Sequence, residues 1–506
     1  MKLIDRFLNK ITMYRLVLYY LIALLVIAAI LGYFHIMAYS PLAIGESVFI
    51  LLVVSLLTNR IFVKVFNAHE NVESAYITAL ILALIIPPLQ SSNLSSLWFL
   101  IAAAVLAMAS KFILAIGKKH IFNPVAISVV ITAFALNLSA NWWVGTLWML
   151  PFVIIGGFLM VRKIQRSDLV VFFFVAALAT VMLFCYIQNT DVVSFMRQTL
   201  VDTPIFFFAF IMLTEPLTTP PTVALQAWYG AIVGVLFAPQ LHIGNIYSTP
   251  ELALVIGNVF SYAVSPKQKL TLILKDKIAL ATGTYEFVFA ADKQIKFKPG
   301  QYLEWTLGHN KTDSRGNRRY FTIASAPSEK VLRMAVRFYQ PPSTFKKELL
   351  EMKAGDTIVA AQLAGDFTMP KNSKQKLAFI AGGIGITPFR SMIGDLLVRS
   401  EQRDIVMFYA NRNASEIAYG NIFEWAKEDL GIKTVFTLTG SNEETVGWQG
   451  YRGYISEEMI RQEMPDYKAR MFYISGPNTM VDAYEQLLLG MGMKESHIIV
   501  DYFPGF

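Results

Sequence analysis

The rhythm of hydrophobic and polar positions changes once along the chain, near residue 265. Before that point, long apolar runs are broken only by short polar stretches. A helix of about 17–25 apolar residues can cross a bilayer. Runs approaching that length predict about ten spans, at 14–34, 41–59, 74–89, 95–116, 121–138, 143–161, 168–187, 203–215, 222–239 and 250–264. The third, eighth and tenth are short or interrupted by proline, so they read as half-helices or tilted spans. After residue 265, Leu270–Leu274, Thr284–Phe289 and Met334–Tyr339 read as strands separated by Pro-Gly and Asn breaks. Short strands at this spacing predict a small antiparallel β-barrel over 266–370. From 371 to 506, strands alternate with helical stretches, as in a Rossmann-like parallel α/β domain. The predicted fold is therefore a polytopic α-helical membrane domain, 1–265, fused to these two modules.

Charge sharpens the boundary. Residues 1–265 carry 13 Lys and Arg against 9 Asp and Glu, whereas the remaining 241 carry 31 against 27. The first part is too poor in charge for a water-facing surface. The net charge of +8 divides evenly and forms no basic stripe, which argues against nucleic acid and suits an anionic inner leaflet. Within the apolar half, basic residues cluster in the N-terminal arm and alternate loops: Arg60 and Lys64, then Lys118 and Lys119, then Arg162, Lys163 and Arg166. The positive-inside rule then places both termini in the cytoplasm, in a multi-pass protein of the inner membrane. The first apolar run is long and lacks an A-x-A-like site, so no cleaved signal peptide is expected.

Scarce residues narrow the chemistry. A single cysteine, Cys185, excludes an internally ligated iron–sulfur cluster, a disulfide within the chain and a CxxC pair. The six histidines do not pair at helical spacing within an apolar run, so transmembrane haem is not expected and no metal site is predicted. Redox chemistry here requires organic cofactors.

Two stretches in the apolar half do not read as filler. His120-Ile121-Phe122-Asn123-Pro124 opens a span. Leu213-Thr214-Glu215-Pro216-Leu217-Thr218-Thr219-Pro220-Pro221 breaks helix with three prolines. Non-helical backbone at membrane depth is tolerated where it lines a cavity or is buried in protein. Asn123, Thr214 and Glu215 are the candidate residues; a capped interfacial loop with Glu215 solvated is the plainer alternative. With the span pattern, these stretches resemble the RnfD/NqrB family of membrane subunits, which belong to Rnf-type electron-transport complexes and to the sodium-pumping NADH:quinone reductase. The resemblance implies a flavin in the membrane, often FMN esterified to threonine in a Gly-Ala-Thr-type site. Here the nearest match, Asp191-Val192-Val193-Ser194, is followed by Phe195-Met196-Arg197. Covalent FMN is thus not expected. A non-covalent second flavin (FMN or riboflavin), a quinone or a flavoprotein partner stays open.

In the barrel, Pro299-Gly300-Gln301-Tyr302 turns into a strand. Arg319-Tyr320-Phe321-Thr322 places a guanidinium, aromatics and a hydroxyl on one strand. A planar fork suits a pyrophosphate, an aromatic face covers a flat ring, and a hydroxyl bonds its edge. Ser343 and Thr344 open a helix, a natural anion site. Together these resemble the FAD domain of the ferredoxin–NADP⁺ reductase family. The likeness implies Arg319 on the FAD pyrophosphate, Phe321 over the isoalloxazine, Thr322 near its reactive nitrogen, and Gln301, Tyr302, Tyr320, Ser343 and Thr344 around it. Prolines 341 and 342 replace the usual glycines.

In the last module, the buried strand Leu377–Ala381 runs into Gly382-Gly383-Ile384-Gly385-Ile386-Thr387-Pro388 and then a helix. Such a turn brings backbone N–H groups and a helix N-terminus to a pyrophosphate. Ser475-Gly476-Pro477 and Met480 follow another strand, and Arg412 a third. The same family resemblance implies that Gly382, Gly383, Gly385, Ile386, Thr387 and Pro388 cradle NAD(P)H. It also implies that Ser475, Gly476, Pro477 and Met480 guide the nicotinamide and that Arg412 reads the ribose or 2′-phosphate. NADH and NADPH are both open. The terminal Phe506 resembles the C-terminal ring of members in which it shields the flavin.

The expected activity is that of a membrane-bound FAD-dependent NAD(P)H dehydrogenase passing electrons to a membrane or extracytosolic acceptor, flavin or quinone. Thr322, Ser475 and Phe506 lie nearest the chemistry. Ferric-reductase-like electron transfer and a redox-driven Na⁺ or H⁺ transporter using Glu215 and Glu46 are the alternatives. A tether of about five residues, Ser265 to Lys269, would hold the barrel against the membrane.

Overall fold

The computed structural model describes residues 8, 11–66, 72–89, 94–116, 119–265, 269–293, 295–309, 313, 316–440 and 448–503. The chain divides into two compact units, Met1–Lys269 and Leu270–Phe506. Most of the tether, residues 266–268, lies outside the described residues.

The first unit is helical: α1 (Met13–Tyr33), α2 (Pro41–Val65), α3 (Val72–Ile85), α4 (Leu94–Ile113), α5 (Pro124–Leu136), α6 (Leu150–Ile164), α7 (Ser167–Gln188), α8 (Val192–Val201), α9 (Val223–Phe237) and α10 (Pro250–Val264). A short segment, Ile205–Met212, follows α8 at a bend of 59°. Local chemistry sets the starts. Ser40, Asn123 and Thr249 each accept a backbone N–H from the first turn of α2, α5 and α10, and each is followed by proline. Asn137, Gln165 and Asn189 take left-handed conformations that end α5, α6 and α7.

The expectation of about ten spans is corrected. Among the described residues, α1, α2, α4 and α7 are long and apolar enough to cross a membrane, or five spans if the bent pair counts as one. Helices α3, α5, α9 and α10 are apolar but shorter. Breaks explain the difference. The stretch 143–161 becomes helix only at Leu150, because the preceding turns are tied to the end of α3. Trp142 N–H donates to Ile85 O at 2.9 Å, and Trp143 Nε1 donates to Ala83 O and Ile86 O at 2.9 and 3.0 Å. Packing is closest between α7 and α9. A Cβ on Gly230 or Gly234 would stand 2.4 Å from the carbonyl oxygens of Leu169 and Phe173, respectively. Small residues four apart are what let two apolar helices touch along their backbones.

The second unit begins with strands β1 (Leu270–Ala281), β2 (Thr284–Ala291), β3 (Tyr302–Thr306), β4 (Arg318–Thr322), β5 (Leu332–Arg337) and β6 (Thr357–Ala364). They form one antiparallel sheet in the order β4–β3–β6–β1–β2–β5. The two edges are drawn together just past β4, where Ala324 N–H donates to Arg333 O at 2.9 Å and Arg333 N–H to Ser325 Oγ at 3.2 Å. Phe287, Phe289, Leu303, Trp305, Ile323 and Met334 fill the interior, and Phe345 of α11 (Thr344–Glu351) plugs it.

A parallel sheet follows, of β7 (Leu377–Gly382), β8 (Ile405–Asn411), β9 (Lys433–Leu438), β10 (Tyr451–Arg452), β11 (Met471–Pro477) and β12 (Ile498–Phe503), in the order β10–β9–β8–β7–β11–β12. Helices α12 (Thr387–Arg399), α13 (Gly420–Leu430), α14 (Glu457–Glu463) and α15 (Asn478–Gly490) connect the strands. Strand β7 is buried at every residue, as its unbroken apolar run requires for a central parallel strand. The chain leaves β7 toward β8 on one side and later returns to β11 on the other. The carboxyl end of β7 is therefore the topological switch point, where open α/β sheets bind ligands.

The opposite end of the sheet is held by Arg470. Its Nη1 donates to Leu377 O at 3.0 Å and Asp404 O at 3.3 Å, and its Nε to Asp466 at 2.8 Å. Arg470, with Lys376 Nζ at 2.7 Å, holds the Asp466 carboxyl down at about 2. A depressed carboxylate stabilises the fold above its unfolded value, and that contribution is lost as pH falls through the folded one. Asp466 is more than a third exposed, so the gain is of the order of 1 kcal/mol or less. The variant Asp466→Asn should melt earlier than the parent at pH 7, with the gap closing as pH falls from about 4 toward 2. A gap that stays constant in melting curves over that range would remove this role.

Candidate active site

Three neighbouring parallel strands end at one edge. Gly382, the last residue of β7, lies opposite Ala410 of β8, and Ala381 lies opposite Ser475 of β11. From Gly382 the chain makes one tight turn, Gly383–Ile386, and enters α12 at Thr387 and Pro388. Glycine is required at specific points. A Cβ on Gly385 would stand 2.3 Å from Ser475 O; on Gly382, 2.1 Å from Met480 Sδ; on Gly476, 2.8 Å from Met480 Cε. Gly383 has φ +53°, and its open side looks toward Arg337 Nη1 at 3.5 Å. The turn is thus pressed onto the end of β11 and leaves Gly383 and Ile384 half-exposed at the crevice. The hydroxyl of Ser475 is buried there and has no hydrogen-bond partner among the described residues. A buried orphan hydroxyl at a switch point, beside a helix N-terminus, is a site suited to a polar ligand group.

The expected residues differ in what they do. Gly382, Gly383, Gly385, Ser475, Gly476 and Pro477 converge. Ile386 and Pro388 turn into the core, and Thr387 Oγ1 donates to Ile384 O at 3.3 Å, so these three offer backbone rather than side chains. Met480 is the packing partner of Gly382 and Gly476. Arg412 lies just past β8, exposed, at the same edge of the sheet.

In the barrel, β4 is one of the two edge strands. Alternation splits its residues. Arg319 and Phe321 lie opposite Trp305 and Leu303, on the core side, whereas Tyr320 and Thr322 lie opposite Glu304 and Tyr302. A flat face could not present all four to one ligand, but a ligand along a free edge meets both sides. Arg319 is buried, its guanidinium 5.1 Å from the Phe345 ring centre and bonded to Gly316 O and Arg318 O. Tyr320 OH donates to Glu304 at 2.8 Å and packs edge-on against Tyr302. Gln301 braces the preceding turn, accepting from Lys298 N–H and donating to Gly365 O.

The expected anion site at α11 already holds a carboxylate. Ser343 Oγ caps Lys346 N–H at 3.2 Å, and Thr344 N–H donates to Asp313 Oδ2 at 3.0 Å. Asp313 was not legible as a candidate, because it lies thirty-one residues away with no motif around it. Phe506 lies outside the described residues.

In the helical unit, the structure brings Asn123 and Glu215 together. Asn123 Nδ2 donates to Glu215 Oε2 at 2.8 Å, and Thr218 Oγ1 donates to the same oxygen at 3.1 Å. His120 Nε2 is 4.0 Å from Oε1. Thr214 is not part of this contact: its hydroxyl donates back to Phe210 O, and its carbonyl accepts from Arg166. Sequence reading missed the next link, in which Asn123 N–H donates to Asn258 Oδ1 at 2.7 Å and Asn258 Nδ2 to Tyr229 OH at 3.0 Å. It also missed Glu251, buried and accepting from Trp142 Nε1 at 3.0 Å. Among the described residues, no group of three or more His, Cys, Asp or Glu is placed to hold a metal.

A family model described as an oxidoreductase NAD-binding domain matches residues 379–486, which include the last four residues of β7, the glycine turn and the end of β11. The C-terminal half is similar to reductase components that belong to FAD- and NAD(P)H-dependent oxidoreductases. Its sequence is 28% identical over 202 residues to one of the subunits of the Na⁺-translocating NADH-quinone reductase of Methylococcus capsulatus, covering 37% of this chain and 49% of that one. It is 26% identical over 215 residues to a glycine betaine monooxygenase reductase subunit of Chromohalobacter salexigens, covering 42% and 58%. The chain thus spans about half the length of these curated relatives. Among solved structures, the cytochrome b5 reductase domain of Ulva prolifera nitrate reductase aligns with 47% of this chain and 98% of its own, at 21% identity and a TM-score of 0.42.

The residues present fit both cofactors: a glycine cradle and an orphan hydroxyl for NAD(P)H, and an edge strand with a buried guanidinium for FAD. A methyl group at Gly385 must displace Ser475, and overpacking of this kind costs about 1–3 kcal/mol. Gly385→Ala should therefore slow NAD(P)H-driven flavin bleaching by about tenfold or more, with FAD content unchanged. Wild-type bleaching in that variant would show that the close approach is not needed.

Proposed function

We propose that the chain is a membrane-bound NAD(P)H dehydrogenase that accepts hydride from cytoplasmic NAD(P)H onto FAD and passes electrons to an acceptor handled by its helical half, a flavin or a quinone. The observation that carries this is the crevice at the carboxyl end of β7, where the glycine turn meets the orphan hydroxyl of Ser475. FAD when bound supplies the exchange between a two-electron hydride and single electrons. The protein supplies orientation. Arg319, Phe321 and Thr322 hold the flavin side, Gly382 to Pro388 hold the dinucleotide, and Ser475 offers its hydroxyl to the nicotinamide amide. Among the described residues, four helices of spanning length support attachment to the membrane. The HIFNP and Thr-Glu-Pro-Leu-Thr stretches, and their RnfD/NqrB resemblance, support a flavin- or quinone-handling role for the helical half, with both termini cytoplasmic. The test is flavin extraction from purified protein with and without denaturation, followed by mass measurement and anaerobic NAD(P)H addition. FAD should be released and should bleach. A preparation that stays colourless and unreactive after FAD addition sinks the reading.

A second reading, redox-driven ion movement, is favoured by one arrangement: the Glu215 carboxylate and the polar chain through Asn123 and Asn258 to Tyr229, set among apolar helices. Under it, Glu215→Gln should abolish NAD(P)H-dependent cation uptake in proteoliposomes while flavin bleaching persists. Normal uptake in the variant would remove Glu215 from any such path.

A further inference from the structure

The barrel and the parallel sheet are joined by a closed ring of charged and aromatic groups that none of the cofactor-site expectations used. Glu329, between β4 and β5, accepts from Ala326 N–H at 2.8 Å, from Arg333 Nε at 2.6 Å, and from Arg390 of α12. Arg333 Nη1 donates to Glu286 of β2 at 2.6 Å. The other oxygen of Glu286 accepts from Tyr419 OH at 2.8 Å. The ring closes where the Arg390 guanidinium lies 5.7 Å from the Tyr419 ring centre. Three of the five residues come from the barrel and two from the α/β module, and the two carboxylates balance the two guanidinium groups. Glu286, Arg390 and Tyr419 are each more than nine-tenths buried.

Two features separate this ring from an ordinary surface ion pair. The first is strain. Tyr419 has φ +61° and ψ 26°, a left-handed conformation that bulky residues avoid and that persists only where surrounding contacts fix it. The second is position. Arg390 Nη1 also donates to Ala324 O at 2.9 Å, and Ser391 Oγ donates to Ser325 O at 2.6 Å. Ala324 and Ser325 lie two and three residues beyond Thr322, and Arg390 and Ser391 lie three and four beyond Thr387. The end of the flavin-side strand is thus fastened to the first turn of the helix that begins at the dinucleotide turn. A buried ion-pair ring contributes little net stability, because desolvation offsets attraction, but it fixes geometry.

We propose that Arg390 is a positioning residue, which through Glu329, Tyr419 and the Ala324 carbonyl sets the separation between the flavin strand and the dinucleotide turn. This rests on the dehydrogenase reading above. Misplacement by about 1 Å can cost about a hundredfold in rate. In full-length protein loaded with FAD, Arg390→Met should retain FAD and NAD(P)H affinity. It should lose tenfold or more in the first-order rate of flavin bleaching and weaken the long-wavelength absorbance of the nicotinamide–flavin complex. Arg390→Lys, which keeps the charge, should recover part of the rate. If Arg390→Met does not fold, Glu329→Gln should give the same split between rate and affinity. Hydrogen exchange on the protein without NAD(P)H gives an independent readout: both 324–326 and 388–392 should exchange faster in the variants. Variants that melt earlier yet bleach at the wild-type rate would overturn the proposal. If the wild type itself does not bleach, the dehydrogenase reading fails. Exchange then decides the fastening alone, which unchanged protection in both segments would refute.

Discussion

The candidate site depends on one close approach of backbone to backbone. The turn that leaves β7 lies so near the end of β11 that a Cβ on Gly385 would stand 2.3 Å from Ser475 O. That contact exists because the strand order reverses at β7, which leaves a crevice between two strands whose connections depart in opposite directions. It also buries the Ser475 hydroxyl without a partner among the described residues and leaves Gly383 and Ile384 half-exposed. Everything proposed for the dinucleotide follows from this arrangement. Any side chain at Gly385 would push the turn away from the end of β11, and one at Gly382 would displace the Met480 side chain packed against it.

The second constraint is that two modules must present their edges together. The barrel contributes an edge strand whose residues alternate between its two sides. The parallel sheet contributes a crevice at its carboxyl end. Neither is a complete site for a hydride exchange, because donor and acceptor must share one geometry. The ring from Glu329 to Tyr419 and the bonds from Arg390 and Ser391 into Ala324 and Ser325 provide the fixed relation.

What was legible in the sequence was local. The apolar run of β7, the glycines after it and the Thr-Pro helix start lie within twelve residues, and their physical meaning does not depend on distant partners. The alternation of β1, β2 and β5 was legible for the same reason. Features that depend on contacts across the fold were not. Span counting overreached because hydropathy is blind to the hydrogen bonds by which Trp142 and Trp143 hold the chain in turns against α3. The anion cap at Ser343 was readable as a cap, but its partner Asp313 was not. Met480 was readable as near the site, but its role as packing for Gly382 and Gly476 was not. Arg390 sits three residues past the helix start, and only the fold brings it to Glu329. In the helical unit, Asn123 and Glu215 were picked out by proline-broken backbone, and their direct contact joins them to Asn258 and Tyr229, which no local signal marked.

The central claim is direct hydride transfer at the carboxyl end of β7. It is tested most directly by anaerobic stopped-flow reduction of the FAD-loaded protein with nicotinamide dinucleotide carrying deuterium at one or the other face of its C4. The account predicts that flavin bleaching slows for one labelled face and not for the other, since the crevice presents a single side of the ring. Bleaching that is indifferent to the label on either face, or no bleaching with FAD bound, would contradict it.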